Sequence, residues 1–265
     1  DIISENGENE YKDLIDRIFQ EDECSRFIIR QLYIWFINSE ITSEIEANII
    51  EPLAKITRDH NYDISPALQK LFLSEHFFES VFCVIKSPLD LILSATNSLM
   101  VSAPSASIKE EYEFAYIMYL ACSDLGQSIF HHPDVAGWKA HYQQPLFDKT
   151  WVNNFFLPKR LAYCKVLVSG GELFINKRKY TVPALVPVLQ IAASIENSQD
   201  PNLLIQGLVD RLFNSEITQG QKDSLKAVLI DGLPDFEWTV EYSEYLGDNT
   251  NISLAISVDK KLRNL

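Results

Sequence analysis

The stretch Ile41-Thr42-Ser43-Glu44-Ile45-Glu46-Ala47-Asn48-Ile49-Ile50-Glu51-Pro52-Leu53-Ala54-Lys55-Ile56 spaces Ile41, Ile45, Ile49, Leu53 and Ile56 three or four residues apart. That period lines a single helical face with apolar side chains, so the segment predicts an amphipathic helix rather than a strand. Ser43 with Glu46 three residues on forms a capping box at its start. Pro52 lacks an N–H and its ring crowds the preceding turn, so the helix is expected to kink or split there.

The same grammar repeats outward along the chain. Ser107 with Glu110 and Thr218 with Gln221 form two further capping boxes, and Asp200 before Pro201 marks another start. The implied helices run over Glu10–Gln20, Ser25–Ile37, Ser43–Arg58, Ser65–Ser74, Pro88–Met100, Ser107–Asp124, Thr150–Val168, Pro201–Phe213, Thr218–Asp231 and Phe236–Tyr245. Leu254–Leu265 has the makings of one more, with Lys260, Lys261 and Arg263 complementing its C-terminal dipole. The pentapeptide Asn-Ser-Glu-Ile-Thr occurs at Asn38–Thr42 and again at Asn214–Thr218, each time between helices, which suits an αα-hairpin turn. One stretch departs from helical period. After Gly170-Gly171, the run Glu172–Ile175, the polar turn Asn176–Lys179 and Tyr180-Thr181-Val182 read as a β-hairpin. The expected fold is mainly α, a multi-helical globular fold with one small β-hairpin. A soft boundary at the hairpin separates a block over 1–170 from one over 171–265, unless the two form one continuous domain.

Composition narrows the function. A net charge of −14 leaves no cationic face for a phosphate backbone and disfavours an anionic membrane surface. The longest apolar candidate, Tyr180–Ile195, is broken by Pro183, Pro187 and Gln190 and falls short of the ~20 residues that a span needs. Cys24, Cys83, Cys122 and Cys164 lie far apart with no Cys-x-x-Cys, so four buried thiols are expected. The polar opening Asp1–Glu10 has no initiator Met, and the last helix has no stop signal. Residues are therefore expected on both sides, with the chain as the C-terminal portion of a longer protein.

The chemistry-bearing residues cluster between Leu125 and Arg160. His131, His132, Asp134 and His141 could supply donors to a metal, but neighbouring side chains point apart and no partner follows at ligand spacing, so no metal and no cofactor is expected. Val135-Ala136-Gly137-Trp138 with Trp151 could form an aromatic platform for a sugar or peptide. Alternatively, Gly137 permits a positive φ and Trp138 plugs the turn into the core. Gln127 and Arg160 suit internal struts that pair loop backbone groups, and equally a ligand pocket. In Lys86-Ser87-Pro88, Ser87 reads as a helix cap with Pro88 at the first helical position, ahead of a Ser–Lys nucleophile pair. Trp238, Tyr242 and Tyr245 share one helical face, read as its buried side with Glu237, Glu241 and Glu244 in solvent. Phosphate-binding glycine loops, Gly-x-Ser-x-Gly and His-Glu-x-x-His are all absent from the sequence.

Taken in order, Leu32–Phe36, Leu71–Phe78 (Leu-Phe-x-Ser-x-x-Phe-Phe), Ile85-Lys86-Ser87-Pro88, Gln127, Val135-Ala136-Gly137-Trp138, Trp151 and Arg160 resemble the signature of a bacterial family, domain of unknown function 1800. The likeness spans about half the chain. His132-Pro133 stands where the family usually has two prolines, and Lys139–Tyr142 where it has a Gly-rich run. The resemblance implies an exported or periplasmic setting and a phosphatase- or sulfatase-like neighbour as partner. The function expected is a non-catalytic binding or scaffold domain for a protein or carbohydrate partner at the bacterial cell envelope. The alternative is a hydrolase with its site around Gln127–Arg160. The residues singled out for binding are Gln127, His132, Asp134, Trp138, Trp151 and Arg160.

Overall fold

Side-chain capping and apolar stripes produce a chain of helices interrupted by a single hairpin. The structure, a computed structural model, describes residues 7, 9–80, 84–103, 107–182, 184–213 and 215–265. The first stretch holds α1 (Glu10–Gln20), α2 (Asp22–Phe36), α3 (Ser43–Ile45), a π-helical turn (Glu46–Ile50), α4 (Glu51–Asp59), α5 (Ser65–Phe72) and α6 (Glu75–Glu79). Then come α7 (Pro88–Ser98), α8 (Ile108–Asp124), the short α9 (Lys139–Tyr142), a 3-10 turn (Phe147–Trp151) and α10 (Phe156–Ser169). The hairpin β1 (Glu172–Ile175) and β2 (Arg178–Thr181) precedes α11 (Val188–Ala193), α12 (Pro201–Leu212), α13 (Gln219–Ile230), α14 (Asp235–Gly247) and α15 (Ile252–Asn264). No described helix is long and apolar enough to cross a membrane.

These elements form two compact units. One comprises the chain up to Ile85 together with Lys139–Lys149; the other comprises Lys86–Trp138 and Thr150–Leu265. The hairpin, where the sequence suggests a soft boundary, lies inside the second unit.

In the first unit Ile29, Tyr33 and Ile37 from α2 and its end meet Ile50, Leu53, Ala67 and Leu71. Tyr33 is buried, and its hydroxyl lies 2.9 Å from His76 Nε2. Phe36, Phe72, Phe77 and Phe78 form an edge-to-face chain with centroids 5.1, 5.2 and 5.5 Å apart, the geometry that aromatic quadrupoles favour. Pro52 has its expected effect in an unusual form. The helix widens into a π turn just before it, where the Glu51 N–H bonds to the Glu46 carbonyl five residues back. The wider turn gives the proline ring room. The cap of α3 is Thr42 rather than Ser43, its hydroxyl accepting from Ile45 N at 3.2 Å. Glu46 is diverted from the capping box because Arg30 of α2 grips both its carboxylate oxygens.

In the second unit β1 alternates as a half-buried strand must, while in β2 Tyr180 alone is half-buried. Leu173 and Ile175 point into the core, and Glu172 pairs with Thr181 at the open end. Asn176 (φ 50°) and Lys177 (φ 65°) make a two-residue turn with both φ positive, the hand that matches strand twist. Trp238 and Tyr242 are fully buried and stack at 4.9 Å, with Trp238 Nε1 donating to the Ser198 carbonyl at 2.9 Å. Glu241, expected in solvent, instead accepts from Ser257 and Lys261 of α15. Thr218 and Gln221 complete a reciprocal capping box at α13. The thiols are free, but only Cys122 is buried; Cys24 is half-buried and Cys164 exposed, while Cys83 and Asn214 lie outside the described residues.

Burial pushes the Cys122 thiol up to about 11 from 9.0, and the Tyr163 phenol up to about 12 from 10.0. Both groups are held neutral by the fold. Their contribution is complete below pH 9 and lost as pH rises through the folded values. Thermal melts should therefore weaken between pH 9 and 12, and Tyr163→Phe should flatten the upper part of that decline. A melting temperature independent of pH up to 11 would contradict this burial.

Candidate functional site

Two helix ends build the centre of the second unit's signature region. Helix α8 closes at Leu125-Gly126-Gln127, where Gly126 N bonds to Ser123 O at 3.0 Å and Gln127 N to Cys122 O at 2.9 Å. This is the Schellman pairing that satisfies the last helical carbonyls. Gly126 sits at φ +99°, and a Cβ there would meet Phe156 Cζ at 2.7 Å, so only glycine fits. The closure delivers the Gln127 side chain to the start of α7, where Gln127 Oε1 accepts from Leu89 N at 2.8 Å. One residue on, Asp90 N donates to Ser87 Oγ at 3.1 Å. Two of the N–H groups that every helix start leaves unpaired are thus taken by side chains. Arg160, on α10, completes the clamp by donating from Nη2 to the Lys86 carbonyl at 2.8 Å. Burial holds the Arg160 guanidinium below its ordinary value, and its buried Nη1 has no partner among the described residues.

The loop that follows is braced differently. Asp134 Oδ1 accepts from Ala136 N at 2.8 Å, and the Asp134 carbonyl from Gly137 N at 3.1 Å, closing a tight turn through Gly137 at φ +89°. Trp138 is half-buried, 5.5 Å from the His132 ring on one side and 6.2 Å from Trp151 on the other. Trp151 is the residue that reaches the core, at 6% exposure. Trp138 therefore does not plug the turn into the core; it bridges an exposed histidine to a buried tryptophan. The expected helix from Thr150 to Val168 is interrupted here, because Asn153 Oδ1 accepts from Phe155 N and Phe156 N and restarts the chain as α10.

Gln127 and Arg160 come together at the α7 start, with Lys86-Ser87-Pro88 between them. His132, Trp138 and Trp151 form a second group. Asp134 is exposed on the loop, and its side chain serves the turn. His141 stacks on Trp35 in the first unit at 4.7 Å. Among the described residues no group of three or more His, Cys, Asp or Glu side chains is placed to hold a metal. Sequence reasoning passes over Phe130, and it takes Val135 only as part of the Val135–Trp138 turn. Phe130 is 90% exposed at φ +64°, and Val135 is fully exposed. Apolar residues beside Pro133 and Gly137 read as packing inward. The overlooked signal is that each sits in a short turn closed by its own backbone hydrogen bond, His131 N to Ser128 O and Gly137 N to Asp134 O, which turns the side chain outward.

The family described as Protein of unknown function (DUF1800) matches residues 1–235 of the chain. The chain belongs to this family. No curated protein and no solved structure matches it. In this chain Lys86-Ser87-Pro88, Gln127 and Arg160 meet at one helix start, while Trp138 of the Val135–Trp138 turn and Trp151 form the neighbouring aromatic group.

Two expected outcomes follow from this geometry. Gln127→Ala should lower unfolding stability by about 1–2 kcal/mol in urea titration, through the uncapped Leu89 N–H. Gln127→Glu, which keeps the acceptor and places negative charge at a helix N-terminus, should retain the stability at pH 7. Equal losses in the two variants would show that capping is not the role. Trp151→Ala should cost about 3–5 kcal/mol as a truncation in the core, and Trp138→Ala distinctly less. The reverse order would refute the assignment of Trp151 as the core residue.

Proposed function

We propose that the chain is a non-catalytic binding domain that engages a protein partner through the tip of the 128–138 loop. The carrying observation is the exposure of Phe130 and Val135, each inside its own hydrogen-bonded turn: His131 N bonds to Ser128 O at 3.0 Å around the first, and Gly137 N to Asp134 O at 3.1 Å around the second. Large apolar groups held out in water at a braced tip favour burial against another surface. Fixing the turn beforehand also removes part of the ordering cost of binding.

A protein suits this tip better than a sugar. Trp151 is buried and Trp138 lies at 49° to it, so the pair offers no flat exposed platform for a sugar ring. The hydrolase alternative draws less support. Gln127 and Arg160 bond to backbone, and Asp134 Oδ1 accepts from Ala136 N within its own turn, so these contacts read as structural ties rather than as the work of a nucleophile, base and oxyanion donor. The family resemblance supplies the setting, a bacterial cell envelope, and the first partner to test, a phosphatase- or sulfatase-like neighbour.

The test is co-expression of the chain with such a neighbour protein from the same genome, followed by affinity capture and titration. The unaltered chain should retain it. The Phe130→Ser/Val135→Asp double variant should melt like the parent and bind about tenfold or more weakly, as loss of an apolar anchor predicts. Undiminished capture by the double variant would overturn the role of the loop. Turnover of a phosphate or sulfate ester by the chain alone, abolished by Asp134→Asn, would favour the hydrolase.

A further inference from the structure

The second unit contains a cavity of about 490 Å³. Its walls come from α7, α10, α11, α12, α13 and α15 and the segment before α11. The deep side is built by Ile191, Leu204, Ile205 and Val209, all buried. Leu212 and Phe213, each nearly half-exposed, stand at its rim. Protein interiors pack as densely as organic crystals and leave few voids larger than a water molecule. A space this size falls within the range of ligand pockets, roughly 300–1,000 Å³. Water is a poor occupant, because a stable buried water needs two to four polar partners and the lining is overwhelmingly aliphatic.

The polar groups on the wall set the chemistry of an occupant. They are Lys86, Ser94, Ser98 and the Cys164 thiol, and among the described residues no acidic side chain lines the cavity. Lys86 Nζ donates to Ser94 Oγ at 3.0 Å, which steers the ammonium along α7. Arg160 donates to the backbone carbonyl of the same lysine and lies one helical turn before Cys164, adding a second positive charge to this side. In a chain of net charge −14, a cation beside an aliphatic cavity with no carboxylate in its wall complements an anionic amphiphile. Among the described residues Phe213 is the only aromatic one in the lining, so a planar ring system finds little to stack on and a flexible alkyl chain fits better.

We infer that this cavity binds a free long-chain fatty acid, its alkyl chain among the aliphatic residues of α11 and α12 and its carboxylate on Lys86 Nζ and the Ser94 hydroxyl. The site is separate from the loop carrying Phe130 and Val135, so either assignment can fail without the other.

Delipidated full chain is titrated calorimetrically with saturated fatty acids from eight to sixteen carbons, below their micelle concentrations, and with dodecanol. Affinity should rise about fourfold per added methylene and then level off when the cavity is full. Lys86→Met alters an exposed side chain and should leave the fold intact. It should weaken dodecanoate about tenfold, as loss of a charge-assisted hydrogen bond implies, with dodecanol unchanged. Ala95→Phe, which fills the cavity from α7, should remove binding of the longer chains. Absence of saturable binding would overturn the proposal, as would equal effects of Lys86→Met on acid and alcohol. So would binding only to anionic vesicles, or self-association that leaves the cavity closed to fatty acid.

Discussion

The start of α7 is the point on which the second unit depends. Ser87 and Gln127 satisfy its unpaired N–H groups, and Arg160 fixes the carbonyl just before it. Three elements distant in sequence are thereby pinned to one helix end. A buried helix start left without partners loses the desolvation cost of each orphan group, about 1–3 kcal/mol. Pinning also decides direction. The Schellman closure of α8 gives Gln127 only one place to go, and the glycine that permits it is held to Gly by Phe156 as well as by its φ. The residues that look most like a catalytic constellation in sequence are in this way occupied with backbone.

Much of this is legible in the sequence. Ser87 before Pro88, Asp200 before Pro201 and Thr218 with Gln221 act as the local rules require, because capping is decided within four residues. The hairpin is equally local, since the run Glu172–Ile175 ends in a polar stretch; within that stretch the turn is Asn176-Lys177, and Arg178 and Lys179, read as turn, already pair in β2. Gln127 and Arg160 could be read as struts, since polar residues flanking a tight loop have backbone groups to satisfy. Their target, the start of α7, could not be read, because nothing local says which helix end comes near.

The misreadings share that cause. Ser43 has the better capping-box spacing, but Arg30 of another helix claims Glu46, and the cap falls to Thr42. Glu241 has the spacing of a solvent face until α15 brings Ser257 and Lys261 against it. Trp138 and Trp151 are equivalent in composition; their burial differs because one sits in the turn and the other in the 3-10 segment entering α10. In each case a tertiary contact overrides a pattern that is right on its own terms.

The same clamp bears on the proposed cavity site. It engages Gln127 Oε1, the Ser87 hydroxyl and the backbone around Lys86 in closing the helix start. It leaves one reactive group of the Ile-Lys-Ser-Pro motif outside the backbone network, the Lys86 ammonium. With its carbonyl held by Arg160, Lys86 cannot shift along the chain, so its four-carbon stem alone sets where the charge can go. Ser94 draws that charge along α7, beside the aliphatic wall. Under the fatty-acid assignment, the structural duty of the motif and its binding duty are then two ends of one residue: the main chain closes the helix start, and the side chain supplies the counter-charge that an otherwise acidic protein lacks at this cavity.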